Sequence, residues 1–282
     1  MCAAGTLSLS ELPAPLPPSP NPLPSARAYL GFDADEYPGD TALPVLRKTF
    51  VFAGYWLNVP PGAAANTWTR KRAVVQSSGF GFLVLFNGRL DKALKSVASA
   101  TALGKRDAAA AVDAGRREGF PEGVVIFLDQ EEGGRMLPEQ KAYLLAWIDG
   151  VNAVGDSAGV YCSGIPVRES RSSTITTAED IRNGAGDRKI PFFVYNDACP
   201  PSPGCLFPDR PPMPAGSGVS FAQVWQIAQS PRRKSLTKAC PSNYAADGFC
   251  YAPELKSAGI YVDVDSAASP DPSHALRPHP AS

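Results

Sequence analysis

The stretch Val124-Val125-Ile126-Phe127-Leu128-Asp129-Gln130-Glu131-Glu132 decides how the rest of this chain is read. Its five apolar residues, rich in β-branched side chains, run without a polar interruption. A strand with one wet face would alternate; an unbroken run is the pattern of a strand covered on both faces in a parallel sheet. The run then ends in acids. In an extended chain residues two apart point the same way, so Asp129 and Glu131 share a face roughly 6–7 Å apart along the strand, and Glu132 turns from them.

The same kind of run recurs on both sides. Strands are predicted at Tyr29–Phe32, Phe50–Leu57, Gly81–Phe86, Ala158–Cys162, Pro191–Tyr195, Gly218–Ile227 and Gly259–Val264, making eight with Val124–Leu128. Helices are predicted in the gaps. Lys105–Glu118 is alanine-rich and followed by Gly119; Pro138–Val154 opens on proline and carries Tyr143, Leu144, Trp147, Ile148 and Val151 along one stripe; Thr67–Gln76 and Thr177–Arg182 are weaker. Eight strands alternating with helices over about 240 residues match a (β/α)₈ TIM-like barrel, irregular in its last third. A doubly wound open sheet is the competitor. After the first strand, however, the chain reads Gly31-Phe32-Asp33-Ala34-Asp35-Glu36, acidic where a phosphate loop would present glycines and backbone N–H groups. That favours the barrel.

The chain has 282 residues, 29 of them proline, concentrated in residues 13–24 and again in the last stretch. The expected organisation is therefore a Pro/Ser-rich tether over residues 1–25, one barrel domain over 26–268 and a disordered tail over 269–282. Lys+Arg and Asp+Glu balance at 27 each, which leaves no basic field to draw nucleic acid or an anionic membrane. No apolar run is long enough to span a bilayer.

The two histidines, His274 and His279, both fall in the expected tail. A Ser-His-Asp triad, a Cys-His pair and a His-ligated metal site inside the domain are thereby excluded. Gly155-Asp156-Ser157-Ala158-Gly159 matches the nucleophile-elbow pattern but precedes a strand and has no histidine to serve it, so it reads as a turn. Acid–base chemistry here falls to carboxylates or tyrosines, and no metal or cofactor is expected.

In a closed parallel barrel the strands' C-terminal ends meet on one face, and acids collect there: Asp33 and Asp35 after the first strand, Asp129 and Glu131 after the fourth, Asp197 after the sixth, Asp263 and Asp265 at the eighth. The first and eighth strands are neighbours, which brings Asp33 beside Asp263. A single acid after a strand is more often a helix N-cap. Half the strands ending this way, with no other chemistry at hand, points instead to a carboxylate pair of the kind that cleaves glycosidic bonds, one acid kept protonated by crowding and one ionised. Tyr55, Tyr161, Tyr195 and Trp225 are aromatics placed to stack on sugar rings.

Several of these segments resemble the glycoside-hydrolase-like domain known as domain of unknown function 1906, a relative of the family 25 lysozymes. The resemblance rests on Gly31-Phe32-Asp33, Phe127-Leu128-Asp129-Gln130-Glu131, Ala158-Gly159-Val160-Tyr161-Cys162-Ser163, Val224-Trp225-Gln226 and Val262-Asp263-Val264-Asp265, in the family's order. It implies a β/α barrel that acts on, or binds, bacterial cell-wall glycan. It makes Glu131 the proton donor, Asp129 the group that orients substrate or stabilises positive charge, and Asp33 and Asp263 the groups that hold water and tune the acid. Tyr55, Tyr161, Asp197, Trp225, Gln226 and Asp265 are the expected substrate contacts. The extra Glu132 and Asp35 depart from the pattern.

Cysteine usage bears on location. Cys199 and Cys205 bracket one Pro/Gly loop and Cys240 and Cys250 another, which predicts two local disulfides and an oxidising, exported setting; Cys162 reads as a buried free thiol. Cys2 followed by a Pro/Ser tether matches the start of a mature bacterial lipoprotein, with an incidental residue as the equal alternative, and no signal peptide precedes it in the chain. The function expected is a muramidase-like glycoside hydrolase of the secreted or envelope compartment. A non-catalytic glycan-binding module on the same barrel is the alternative.

Overall fold

The computed structural model describes residue 1 and residues 27–274. The expected tether, with Cys2, and His279 lie outside the described residues. Within them the chain runs β1 (Tyr29–Asp33), α1 (Leu43–Leu46), β2 (Phe52–Trp56), α2 (Arg72–Ser77), β3 (Gly81–Asn87), α3 (Val97–Arg117), β4 (Val125–Asp129), α4 (Pro138–Asn152), β5 (Ser157–Ser163), a small hairpin β6 (Val167–Arg168) and β7 (Thr174–Ile175), α5 (Thr177–Gly184), β8 (Phe192–Tyr195), β9 (Val224–Ala228), α6 (Lys234–Thr237) and β10 (Asp263–Ala267). Eight strands close into a barrel in the order β1-β10-β9-β8-β5-β4-β3-β2. The expected barrel and its closure are present.

One strand runs against the rest. β10 is antiparallel to both β1 and β9, pairing Asp33 with Asp263 and Gly31 with Asp265. The sequence reading placed the eighth strand four residues early and in the parallel sense. In fact Gly259–Val262 is approach loop, and the strand begins at Asp263 and runs back down the barrel. Asp263 reaches the same rim as Asp33 because it starts the strand, not because it ends it. The seventh strand is also shorter than expected. Residues 218–223 are loop, and only Val224–Ala228 pairs.

Large and small side chains alternate to fill the barrel. A Cβ on Gly31 would lie 2.1 Å from the Phe52 ring, and one on Gly159 would lie 2.5 Å from the Phe127 ring, so each glycine is the seat of a buried phenylalanine. Outside, α3 begins eight residues earlier than predicted. Ser96 and Ser99 form a reciprocal N-terminal cap, and Arg116 and Arg117 occupy the last turn. Its alanine face presses on α4 so closely that a Cβ on Gly104 would meet the Tyr143 carbonyl oxygen at 2.3 Å. This contact covers β3–β5 from solvent.

The last third is held differently. Cys199 pairs with Cys240 and Cys205 with Cys250. The cysteines expected to bond do so, but each bridge joins the loop after β8 to the segment between β9 and β10 instead of closing a local ring. With few helical residues there to bury, cross-links between loops supply what helix packing supplies elsewhere. Cys162 is free and buried, as predicted. Hydrogen bonding to the barrel continues past the expected domain end at 268. The Ser273 hydroxyl and the Asp271 carboxylate accept hydrogen bonds from the Val84 and Phe82 amides of β3, and the Ser273 carbonyl accepts one from Val125 of β4. Residues 269–274 thus belong to the barrel.

Candidate active site

Strand parity decides which side chains look into the barrel mouth. Gly54 and Trp56 face inward on β2, Asp33 on β1, Asp129 on β4, Tyr161 on β5, Phe193 on β8, Gln226 on β9 and Asp263 on β10, and these residues except Gly54 line one cleft of about 320 Å³ with Asp35, Leu85 and Glu131. Gly54 is required beside Asp33, because a Cβ there would stand 2.4 Å from the Asp33 Cβ. The four acids expected to act together, Asp33, Asp129, Glu131 and Asp263, do share this cleft.

Gln226 organises them. Its amide nitrogen donates to Asp33 Oδ2 at 2.9 Å and to Asp263 Oδ2 at 3.0 Å, and its amide oxygen accepts from the Tyr161 hydroxyl at 2.6 Å. Only this orientation of the amide satisfies two carboxylates and a phenol together. Gln229 donates to the Tyr161 hydroxyl and to Gln226 Oε1. The Ser230 amide donates to Asp263 Oδ1 at 2.6 Å. Asp33 and Asp263 are therefore fixed by a polar lattice before any ligand arrives, whereas Asp129 keeps a buried oxygen without a partner.

Burial and crowding raise their pKa values. Burial is the main cause for Asp33, offset by the Gln226 hydrogen bond and reinforced by Asp35, and the result is about 6. Asp35 also rises to about 6, first from burial and then from Glu131 and Glu36. Asp129 and Asp263 are pushed well above the ordinary carboxylate range by burial, with Glu131 and Asp33 as the leading charged neighbours respectively. Glu131 stands at the exposed rim, where partial desolvation and then Glu132 raise it. Its backbone carbonyl accepts from the Tyr195 hydroxyl at 2.9 Å. Glu132 faces away as parity predicts, accepting from the Asp91 amide and from the side-chain amides of Gln130 and Gln140. It anchors the loop that presents Glu131.

Beneath the cleft lies Asp265, fully buried. Neither of its oxygens has a partner among donors of the ordinary kind, and burial followed by repulsion from Asp33 and Asp263 drives its pKa well up. Across the β1–β10 ladder it faces Gly31, and its burial beside Asp33 and Asp263 favours the protonated form.

Three expected substrate contacts lie elsewhere, and Asp265 is a fourth, a support below the floor. Tyr55 points outward from β2, and its hydroxyl shares its one proton between the Trp68 carbonyl and the Glu118 carboxylate. Trp225 also faces outward, and its indole N–H donates to the Asn196 carbonyl. Asp197 is wholly buried in an ion pair with Arg233 and reaches the cleft only through that partner. Tyr161 and Gln226 are where they were expected. Sequence reasoning missed Trp56, Phe193, Gln229, Ser230 and Arg233. Gly54, two residues before Trp56, was the signal that Trp56 and not Tyr55 faces inward; the loop residues 229–233 had no periodicity to read.

A second hollow of about 410 Å³ continues the cleft past Asp35, Ser230 and Asp263 to Tyr37 and Tyr261. No group of His, Cys, Asp and Glu side chains among the described residues has metal-binding geometry.

The molecule is thus a closed α/β barrel with a carboxylate cleft at one end. Residues 60–192, just under half of the chain, match the family model of the Rv2525c-like, glycoside hydrolase-like domain, so the resemblance carried by the sequence motifs is to this family. The match takes in Asp129 and Glu131 and stops short of Asp33, Gln226 and Asp263. Among solved structures, an uncharacterized protein from B. stearothermophilus is 20% identical with a TM-score of 0.55, covering 85% of this chain and 95% of that one. The Tat-secreted protein Rv2525c from Mycobacterium tuberculosis, in complex with L-tartrate, is 14% identical with a TM-score of 0.53, covering 87% and 97%. These two likenesses are of fold. No curated protein sequence matches the chain.

Proposed function

We propose that this protein is a glycoside hydrolase of bacterial cell-wall glycan, muramidase-like, working by carboxylate general acid/base catalysis. The observation that carries the reading is the cleft itself: five carboxyl groups, all with raised pKa, at the open end of a barrel with Gln226 bridging two of them. Glycosidic cleavage needs one carboxylic acid to protonate the leaving oxygen and a second carboxylate to assist at the sugar carbon. Glu131 is the proton donor, because it is the acid at the accessible rim and its desolvation favours the protonated form. Asp129, set deeper on the same face, orients the sugar and stabilises positive charge in the transition state. Asp33 and Asp263, held by Gln226, position water and tune Glu131. Tyr161, Trp56 and Phe193 supply aromatic walls for the sugar rings. The two inter-loop disulfides support an oxidising, exported location.

Turnover of purified peptidoglycan and of chitin-type oligosaccharides by the wild type and by Glu131→Gln tests the reading. The wild type is expected to release reducing ends and the variant to lose at least about a hundredfold, in line with loss of a general acid. One observation favours the second reading, a glycan-binding module without turnover: burial holds Asp129 and Asp263 toward their neutral forms, which leaves fewer ionised carboxylates to assist. If the wild type retains glycan without cleaving it and Glu131→Gln retains it equally, the binding module is correct and the hydrolase is not.

A further inference from the structure

The cleft is acidic on every side but one. Among the described residues that line it and the hollow continuing from it, Arg233 is the one cation. It stands in the loop Gln229–Arg233 after β9, whose residues 229, 230, 231 and 233 all face the cleft. Its side chain keeps 36% of its surface open, whereas Asp197 beneath it keeps none. The Arg233 Nε donates to Asp197 Oδ2 at 2.9 Å and Nη2 donates to Asp197 Oδ1, and the guanidinium lies over the Tyr195 ring at 5.2 Å. Two of its three nitrogens are thus spent on fixing its plane. Nη1 has no partner among the described residues.

A guanidinium clamped on one edge by a buried carboxylate and on one face by an aromatic ring loses little freedom when a ligand binds its open edge. This one is pre-oriented and left open, in a cleft whose other charged groups repel anions. We infer that Arg233 is a specificity-determining residue that recognises a carboxylate substituent on the bound glycan, so that the cleft prefers acidic sugars to neutral ones. The inference rests on the glycan reading above and adds the charge class of the substrate. Without Arg233 the surrounding carboxyl groups would disfavour an acidic sugar; with it, one position along the cleft accepts one through a charge-assisted hydrogen bond.

The test is equilibrium binding of two probes of equal length, a neutral chitin-type oligosaccharide and a muramic-acid-containing peptidoglycan oligosaccharide, measured on full-length protein carrying Glu131→Gln to prevent turnover. The expected result is an affinity about tenfold higher for the carboxylated probe, lost in Arg233→Gln with less than about a twofold change for the neutral one. Equal affinities for the two probes overturn the inference and leave the glycan reading standing. An equal loss for both probes in Arg233→Gln also overturns it, since that is what a structural clamp on Asp197 predicts. Should Arg233→Gln fail to fold, salt provides the second measurement: the preference for the carboxylated probe must shrink between low and high ionic strength while neutral binding holds. A preference indifferent to salt overturns the inference. Binding of neither probe overturns the glycan reading and this inference with it.

Discussion

Strands β3–β5 are backed by α3 and α4, whose backbones approach so closely that Gly104 has no room for a side chain against Tyr143. Across the barrel, the segment between β8 and β10 contains a single α-helix, of four residues, and is tied by Cys199–Cys240 and Cys205–Cys250. Both sides carry site residues, but by different means. Asp129 and Glu131 sit on the helix-backed side, where a strand end fixes direction. Gln229, Ser230 and Arg233 sit on loops, where hydrogen bonds to Asp263 and Asp197 fix it. One wall is packed and the other is cross-linked, so they should fail under different challenges.

Reduction should separate them most clearly. Each bridge spans more than 40 residues, and the chain-entropy argument assigns about 4 kcal/mol to closing a loop of that size. Treatment with a reductant is expected to raise amide hydrogen exchange by several orders of magnitude across residues 199–262 and far less in α3, α4 and β3–β5. Uniform acceleration over the whole chain would mean that the two walls form one cooperative unit.

Gly104→Val attacks the other wall. The new Cβ would stand 2.3 Å from a backbone oxygen that cannot move without shifting α4, and overpacking of this sort costs about 3 kcal/mol. Chemical denaturation should report that loss, and the disulfide-tied segment should keep its native exchange pattern until global unfolding. A variant as stable as the wild type would show that the α3–α4 contact is looser than its geometry.

The acids between the walls give a smaller and pH-dependent effect. The Asp33 pKa is raised from 3.8 to about 6. Between those values the folded protein holds a proton that the unfolded chain has released. The stability contributed is therefore complete below about pH 4 and is lost as pH rises through about 6. Asp33→Asn removes the cost of burying the ionised form and is expected to stabilise the protein by about 1–3 kcal/mol at pH 7 and not at pH 4. Thermal melts across that range check it. A gain that is the same at both values would assign the effect to packing.

Legibility followed the same division. Val124–Asp129 announced a doubly covered strand because burial on both faces removes polar residues, and the alternation of such runs with helices was enough for the barrel. Asp129 and Glu131 were legible because strand parity is a rigid rule. The direction of β10 was not, since Asp263-Val264-Asp265 alternates equally well whichever way it runs. Asp263 reached the right rim only because a late start and a reversed direction cancelled. The disulfide partners were unreadable for a related reason: cysteines a few residues apart suggest local rings, whereas their pairing depends on which loops the closed sheet brings together. Arg233 belongs to a loop without periodicity, placed by a buried acid 36 residues away.

Tyr55 and Tyr161 isolate the parity error. Both were read as sugar contacts, both end in a hydroxyl, and both belong to barrel strands. Tyr55 faces the helices, where its one hydroxyl proton is shared between the Trp68 carbonyl at 2.7 Å and Glu118, and its oxygen accepts from the amides of Lys71 and Arg72. Tyr161 faces the cleft and donates to Gln226 at 2.6 Å. Removing either hydroxyl should cost about 1 kcal/mol of stability, the ordinary worth of a buried hydrogen bond. Glycan affinity should distinguish them. Tyr161→Phe frees the Gln226 amide to rotate, loosening its hold on Asp33 and Asp263, and is expected to weaken binding severalfold. Tyr55→Phe changes only the outer face of β2 and should leave binding within about a factor of two. If the two variants weaken binding equally, the outward face of the barrel is coupled to its mouth, and the assignment of the site to inward-facing residues alone is wrong.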